Sequence, residues 1–498
     1  MTVEKENQFK DNLLLFVRIG TGILGTLFLV VIISRIIYPF SNGTWEAMNW
    51  MPAAHLLEGK NPYAFAFTPP YSMTPYGILH YALTAVGVWL FGFQMWFGRV
   101  LSVLGFAVCI ISVFKITRKI TVDKEAATAA CLAGLAMFPA QLWVGIMRPD
   151  LVAAGFSFAA LWLAFTLEED KKTSFGHVAA MVFLSLAAFF TKQTFLLATG
   201  IIFLRFLQVK KWREAVWFVS AVVILAASLM FLLNYTSSGG YFWQHFTHAR
   251  RLPFSLEHSA RNLIEMLKHP SFFFSVVFLF VFIYHNRKFF SRASRNDLRE
   301  ILRSRELLIF LYFPLSTVWA FLSGGREGAI ANYYIEHSFV LAIVCGLIYT
   351  NFRRNALPNP ALAMIVLLTL GGMFQQMRVL RGEYFRRQVV GYYREMSETA
   401  GKFTPPGSRC ISIFPELVVR NGCSFEFDDF EEYQGDWSPE LRGIFEREVK
   451  AGSYAVIIWH NDRLGAQFPN YRFVPMSQKV PEGYYTPHLY VRETPPSE

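Results

Sequence analysis

NLLLFVRIGTGILGTLFLVVIISRIIYPFSNGTWEAMNW, residues 12–50, decides how the rest of the chain is read. Its first part, 13–37, is apolar apart from a few polar and basic side chains. A helix needs about 20 such residues to cross the hydrocarbon core. The run is too long for a signal peptide and no small-residue cleavage site follows, so it reads as a first membrane anchor. The second part changes character. A Ser-Asn-Gly turn leads into a Trp- and Met-rich segment with one carboxylate, Glu46, just beyond the anchor.

The same pattern recurs outward from this stretch. Apolar runs at 99–115, 125–146, 151–167, 177–191, 193–208, 215–234, 270–285, 307–323, 334–351 and 360–377 bring the number of expected spans to eleven. The chain of 498 residues is 53% hydrophobic and 17% charged, with 50 Phe, where a soluble chain carries about a quarter charged residues. The expected fold class is an α-helical polytopic membrane protein. The net charge of +11 does not point to nucleic acid, because Lys and Arg gather in the cytoplasmic loops of membrane proteins. No CxxC or Cys/His metal spacing occurs, and neither a 20–50-residue repeat nor a two-halved transporter pattern is visible.

The stretch 76–92 is apolar enough to be a twelfth span. Counting it out places nineteen basic residues of the loops on one face and nine on the other, leaving aside the tail. Counting it in moves the large cluster outside. The positive-inside rule therefore predicts an interfacial or re-entrant helix at 76–92, a cytoplasmic N-terminus and an external C-terminal tail. Segment 286–306 reads as a basic helix on anionic membrane lipid. The outer face would hold the loops 39–98 and 235–269 and the tail. The predicted domains are 1–377 in the membrane and an extracytoplasmic α/β unit at 378–498. That unit opens with an amphipathic helix (378–400) and continues with strand-like runs at 410–414, 453–460 and 489–493 and a helix at 438–450. Cys410 and Cys423, if outside, can pair or remain free thiols.

Ionisable groups at the ends of spans need a partner or a task. Glu46 can be a general base or a plain interfacial residue. Arg148 and Asp150 flank Pro149 in IMRPDL, either a local ion pair at a turn or part of a site. Lys192, between apolar runs, can snorkel or hold a phosphate. Arg326 and Glu327 sit in a Gly-rich tip before Asn332, Tyr333 and Tyr334, where backbone N–H groups can meet a phosphate and a sugar. His245, His248, Arg250 and Arg251 lie among aromatic residues in the loop after residue 235 and can clamp the same kind of ligand.

Taken in order, these residues resemble the GT-C superfamily of membrane glycosyltransferases. The nearest group is that of the polyprenyl-phosphate-dependent mannosyltransferases and the aminoarabinose lipid A transferase, the RgtA/B/C/D-like domain. The acidic residue after the first span, LLEGKNPYAF (56–65), PYGILHY (75–81), LFG…GR (90–99), RPD (148–150), TKQT (191–194) and the tip before NYYIE (332–336) follow that family's order. The resemblance implies an inverting transfer of a sugar from a polyprenyl-phosphate donor to a hydroxyl of a lipid, glycan or protein acceptor. It implies Glu46, where the family has Asp, and Asp150 as catalytic carboxylates. Arg148, Lys192, Arg326, Arg250 and Arg251 would bind the donor phosphate. Tyr63, Tyr76, Gln193, His245, His248, Asn332 and Tyr333 would line the substrate. No DxD stands in the first outer loop, so no cofactor or metal is expected, although some GT-C enzymes use a divalent ion. A flippase or transporter is the alternative, and would place its charges deep in the spans. A non-catalytic envelope scaffold would not need these groups to converge.

Overall fold

The computed structural model describes residues 3–43, 46, 49–66, 74–248, 253–292, 304–326, 328–354, 358–405, 407–412, 414, 416–419, 421–426, 439–459, 470–478, 480 and 487–493. The chain is mostly helical. The first helix, α1 (Val3–Ile36), leads into a long connection, which carries α2 (Trp50–Leu57) and α3 (Ile78–Phe91). Then come α4 (Met95–Thr121), α5 (Lys124–Ala136), α6 (Phe138–Trp143), α7 (Pro149–Phe165), α8 (Phe175–Thr191), α9 (Leu197–Gln208) and α10 (Trp212–Thr236). After a second connection follow α11 (Leu256–Leu267), α12 (Pro270–Arg292), α13 (Arg305–Ser323), α14 (Ile335–Arg354) and α15 (Pro358–Gln388).

Every expected apolar run is helical, but not every one is long. Among the described residues six helices are long and apolar enough to cross a membrane: Leu15–Ile36, Met95–Thr121, Trp212–Thr236, Arg305–Ser323, Ala331–Arg354 and Pro360–Gly401. The pair α11 and α12, bent by 92°, makes a seventh if taken as one span. α7 and α8 have 17 residues each and α9 has 12. The run 125–146 is two helices, because Pro139 stands in the first turn of α6 and cannot supply the N–H that would continue α5. α3 is a helix of 14 residues, consistent with a segment lying on or dipping into the membrane.

Exposure shows which helices face lipid. α10 leaves Val216, Trp217, Val223, Ile224, Leu225, Phe231 and Leu232 on the surface, a belt that is unfavourable in water but suited to acyl chains. α14 is the opposite: its side chains from Ile335 to Thr350 are all buried. The other helices are arranged around it. α4 and α7 cross closely because glycine meets glycine there. A Cβ on Gly105 would come 2.3 Å from the Leu151 carbonyl oxygen, and one on Gly155 would come 2.9 Å from that of Gly105.

The C-terminal region differs from expectation at its boundary. No break falls at 377/378; the last membrane helix α15 runs on to Gln388 before α16 (Val390–Gly401) begins. β1 (Arg409–Ser412), α17 (Glu416–Val419), β2 (Ser424–Glu426), α18 (Pro439–Lys450), β3 (Val456–Trp459), β4 (Tyr471–Val474) and β5 (His488–Arg492) follow. The sheet order is β2-β1-β3-β5-β4, with β1 parallel to β2 and β3, and β5 antiparallel to β3 and β4. The three strand-like runs and the charged helix are found where the sequence put them; β2 and β4 are additions. Cys410 and Cys423 form a disulfide. The core of this sheet is continuous with the outer loop after α1: Tyr38, Phe40 and Met51 pack with Tyr392, Tyr393 and Phe414.

Candidate active site

The loop after α1 is pinned by a buried ion pair. Arg99, near the start of α4, gives Nε to Glu46 Oε1 and Nη2 to Glu46 Oε2, both at 2.8 Å, with neither side chain exposed. Its remaining donors go to the carbonyls of Arg35 (2.7 Å), Tyr38 and Phe40. A guanidinium has five N–H bonds, so every one is used. Glu46 also accepts the backbone N–H of Met147 on Oε1 and of Asn42 on Oε2, each at 2.6 Å. A carboxylate offers about four acceptor positions, and four donors fill them. Burial pushes the Glu46 carboxyl up, but the charge and hydrogen bonds of Arg99 outweigh it and hold it below its ordinary value. The expected free base at Glu46 is therefore, in this structure, a saturated brace with no acceptor position open to a substrate proton.

The brace reaches the next group through Met147. Asn49 Nδ2 holds the Met147 carbonyl at 3.0 Å while Glu46 holds its N–H. Arg148 and Pro149 follow, and Pro149 opens α7 with Asp150 in the first turn, where the helix dipole favours a negative charge. Asp150 is fully buried. Lys192 pairs with its Oδ1 and Arg148 Nε with its Oδ2 at 3.1 Å. Asn332 Nδ2 adds a bond to Oδ1 at 3.1 Å. The Lys192 ammonium lies 4.8 Å from the Tyr333 ring centre. Lys192 thus does not snorkel: it caps α8 and points into the protein. Asp150, Arg148, Lys192, Asn332 and Tyr333 are brought together as expected.

An aromatic wall stands beside this cluster. A Cβ on Gly77 would fall 2.0 Å from the Phe190 carbonyl oxygen, so only glycine lets the 74–81 segment lie against the end of α8. Its N–H bonds to the Thr191 carbonyl at 3.2 Å. Tyr76 then places its ring 5.5 Å from the Arg148 guanidinium. Its carbonyl accepts the Tyr63 hydroxyl at 2.7 Å and faces His245 Nε2 at 3.3 Å. His245 stacks on Tyr241 at 4.4 Å, and burial pushes its imidazole down to about 4. Tyr63 gives its hydroxyl hydrogen to Tyr76, and the neutral His245 ring, with one N–H, can donate to either the Tyr76 or the Tyr241 carbonyl. Gln193 lies beside the Tyr241 hydroxyl, with its Nε2 making no hydrogen bond.

Other expected residues are placed less directly. Arg326 sits in a clasp, bridged to Phe254, and its charge acts on the Tyr333 hydroxyl. The Gly-rich tip is covered there, with Ser255 N–H on the Gly325 carbonyl at 2.9 Å. Arg250, Arg251, Glu327 and the side chain of His248 lie outside the described residues. Sequence reasoning gave Arg99 no site role, placing it only among the outer basic residues and at the end of the LFG…GR motif, and it missed two acids that hold the loop from the far end of the chain. Glu383 on α15 accepts Arg35 Nε at 2.8 Å. Glu416 on α17 accepts the N–H of Ser41 at 2.8 Å and its hydroxyl at 2.6 Å. Among the described residues no group of three or more His, Cys, Asp or Glu converges as a metal site would require.

Residues 75–236 match the family described as Dolichyl-phosphate-mannose-protein mannosyltransferase. No curated protein matches the chain in sequence. In fold, the chain is similar to ArnT from Cupriavidus metallidurans bound to undecaprenyl phosphate, with 13% identity and a TM-score of 0.63 over 94% of this chain and 97% of the other. The apo state of the same protein gives 13% and 0.62 over 94% and 96%. By the sequence of residues 75–236 and by a fold shared over almost its whole length, the chain resembles the GT-C superfamily of glycosyltransferases.

Proposed function

We propose that the protein is an inverting glycosyltransferase that moves a sugar from a polyprenyl-phosphate donor to an acceptor hydroxyl at the external membrane face. The observation that carries this reading is Asp150, buried between Lys192 and Arg148 at the end of the bundle to which the C-terminal sheet is attached. Two fixed cations there suit a lipid phosphate, the group bound in the ArnT structure.

The roles follow from competition for charge. A lipid phosphate arriving beside Lys192 and Arg148 draws both cations from Asp150. The carboxylate that loses them gains basicity. It then takes the proton of the acceptor hydroxyl as that oxygen attacks the anomeric carbon. The bond from the anomeric carbon to the phosphate oxygen breaks, and the polyprenyl phosphate leaves with the electron pair, stabilised by the same two cations. Attack opposite the leaving group inverts the anomeric centre. Asn332 keeps Asp150 oriented. Glu46 and Arg99 hold the Met147–Asp150 segment in place and take no proton. We write the reaction without a metal because a divalent ion at Asp150 would meet two cations already there.

The chain in this reading crosses the membrane eleven times, counting the short helices α5, α7, α8 and α9. The Cys410–Cys423 disulfide and the basic loops on the opposite face support an external C-terminal α/β domain. The test is to reconstitute the full chain in liposomes, supply radiolabelled polyprenyl-phosphate sugars with a cell-envelope extract, and read the anomeric configuration of the product by NMR. Transfer with inversion is expected. Retention of configuration, or no transfer from any polyprenyl-phosphate sugar, refutes the reading.

A further inference from the structure

Five buried or partly buried polar side chains around the Asp150 cluster have atoms with no partner in the protein. His80 is fully buried with both ring nitrogens unpaired. It lies within the fields of Asp150 and Arg148, with its ring centre 6.3 Å from that of Tyr76 and perpendicular to it. Thr191, also fully buried, leaves its hydroxyl unpaired one residue before Lys192. Gln244 accepts from the N–H and hydroxyl of Thr74 through Oε1, which leaves its Nε2 unpaired. Gln193 leaves Nε2 unpaired. Asn332 binds Asp150 through Nδ2 and leaves Oδ1 unpaired. A buried polar atom without a partner costs about 1–3 kcal/mol, and such atoms are few in native proteins. Asn332 bonds Asp150, His80 lies in its field, Thr191 and Gln193 flank its partner Lys192, and Gln244 holds Thr74 two residues before Tyr76; a polar ligand would answer these atoms.

Resting on the glycosyltransferase reading, we propose that His80, Thr191, Gln193, Gln244 and Asn332 form the subsite for the donor's sugar ring, and that this subsite selects a neutral sugar over an amino or acidic one. The unpaired atoms are a mixture. Two amide groups donate, one amide oxygen accepts, and the threonine hydroxyl and a neutral imidazole do both. Sugar hydroxyls, which donate and accept, match such a mixture. The imidazole is neutral because full burial outweighs the attraction of Asp150, and Arg148 also opposes a charge on the ring. An ammonium on the sugar would need a carboxylate. Among the described residues the two carboxylates of the site, Asp150 and Glu46, are already held by Lys192, Arg148 and Arg99. A sugar carboxylate would need a further cation, while Lys192 and Arg148 serve the phosphate.

The experiment is a binding titration of the full chain in nanodiscs with four probes: polyprenyl phosphate alone and polyprenyl phosphate carrying a neutral hexose, an aminopentose or a uronic acid. The neutral hexose should bind at least about tenfold more tightly than either charged sugar. In His80→Ala and Gln244→Ala the hexose probe should weaken about five- to tenfold, while polyprenyl phosphate alone stays within about twofold. A subsite built for something else shows itself as equal or tighter binding of a charged sugar, or as equal weakening of both probes in the variants; either result overturns this inference and leaves the transfer reaction standing. If no probe binds, bare lipid phosphate included, the proposed function itself falls.

Discussion

Glu46→Gln separates a brace from a base. The substitution keeps the side-chain shape and removes the charge. One amide oxygen can still accept from Arg99 Nε and Met147 N–H, but the amide NH₂ then faces Arg99 Nη2 and the N–H of Asn42, two donors that Oε2 now satisfies. Arg99 is left fully buried with no counter-charge. Breaking one partner out of a buried pair costs about 3–5 kcal/mol, and the two opposed donors add to the upper end of that range. The assay is thermal unfolding of the purified chain in detergent, beside a transfer assay at a temperature where the variant is still folded. The expected outcome is a clear drop in the unfolding midpoint, with much of the transfer rate retained in the fraction that is folded. The double variant Glu46→Gln with Arg99→Gln, which removes both charges, should regain part of the lost stability. A Glu46→Gln protein that unfolds at the wild-type midpoint and has lost all transfer would refute the reasoning, and would return the base to Glu46.

Asp150→Asn should abolish transfer while leaving the affinity for polyprenyl phosphate unchanged or higher, since the phosphate no longer competes with a carboxylate for Lys192 and Arg148; loss of lipid binding would contradict that division of roles. Removing the disulfide as Cys410→Ser with Cys423→Ser should destabilise the C-terminal sheet by on the order of 3 kcal/mol for a closed loop of this size, measured as faster proteolysis of the tail. Burial pushes the Glu416 carboxyl above its ordinary value, against the opposing effect of its bonds to Ser41. A raised folded value means that its contribution to docking is full below the ordinary value of 4.5 and is lost as the pH rises through the higher folded value. Protection of the amides of residues 38–42, corrected for the intrinsic pH dependence of exchange, should therefore fall as the pH rises, and Glu416→Gln should flatten that trend.

The parts of the structure that were legible in the sequence are those set by local composition. The apolar runs between 13 and 377 all became helices, because hydrocarbon leaves the backbone no other partner. RPD at 148–150 and TKQT at 191–194 could be singled out because charge is rare between such runs. What could not be read is which charges meet. Arg99 and Glu46 stand 53 positions apart, and Lys192 and Asp150 stand 42 apart. A lone basic residue at the head of a helix looks the same whether it faces water or closes an ion pair. Glu46 and Tyr63 show the same limit: both sit at polar ends of apolar segments, and only the fold shows that four donors fill Glu46 and that the Tyr63 hydroxyl already donates to Tyr76. The helix end at Gln388 was not legible either, because the apolar run stops near 377 while the helix continues through a charged stretch, and composition marks the end of the apolar run rather than of the helix.

The partners of the outer loop have a consequence for how the protein comes into being. Arg35, Ser41, Glu46 and Arg99 are made in the first fifth of the chain, while Glu383 and Glu416 emerge only when most of it has been synthesised. Until then the Arg35 guanidinium lacks its carboxylate and the Ser41 turn lacks its anchor. Completion of the site is thereby tied to completion of the chain. A ribosome that stops early leaves the helices without the carboxylates that close the loop, so a truncated chain carries an unfinished site.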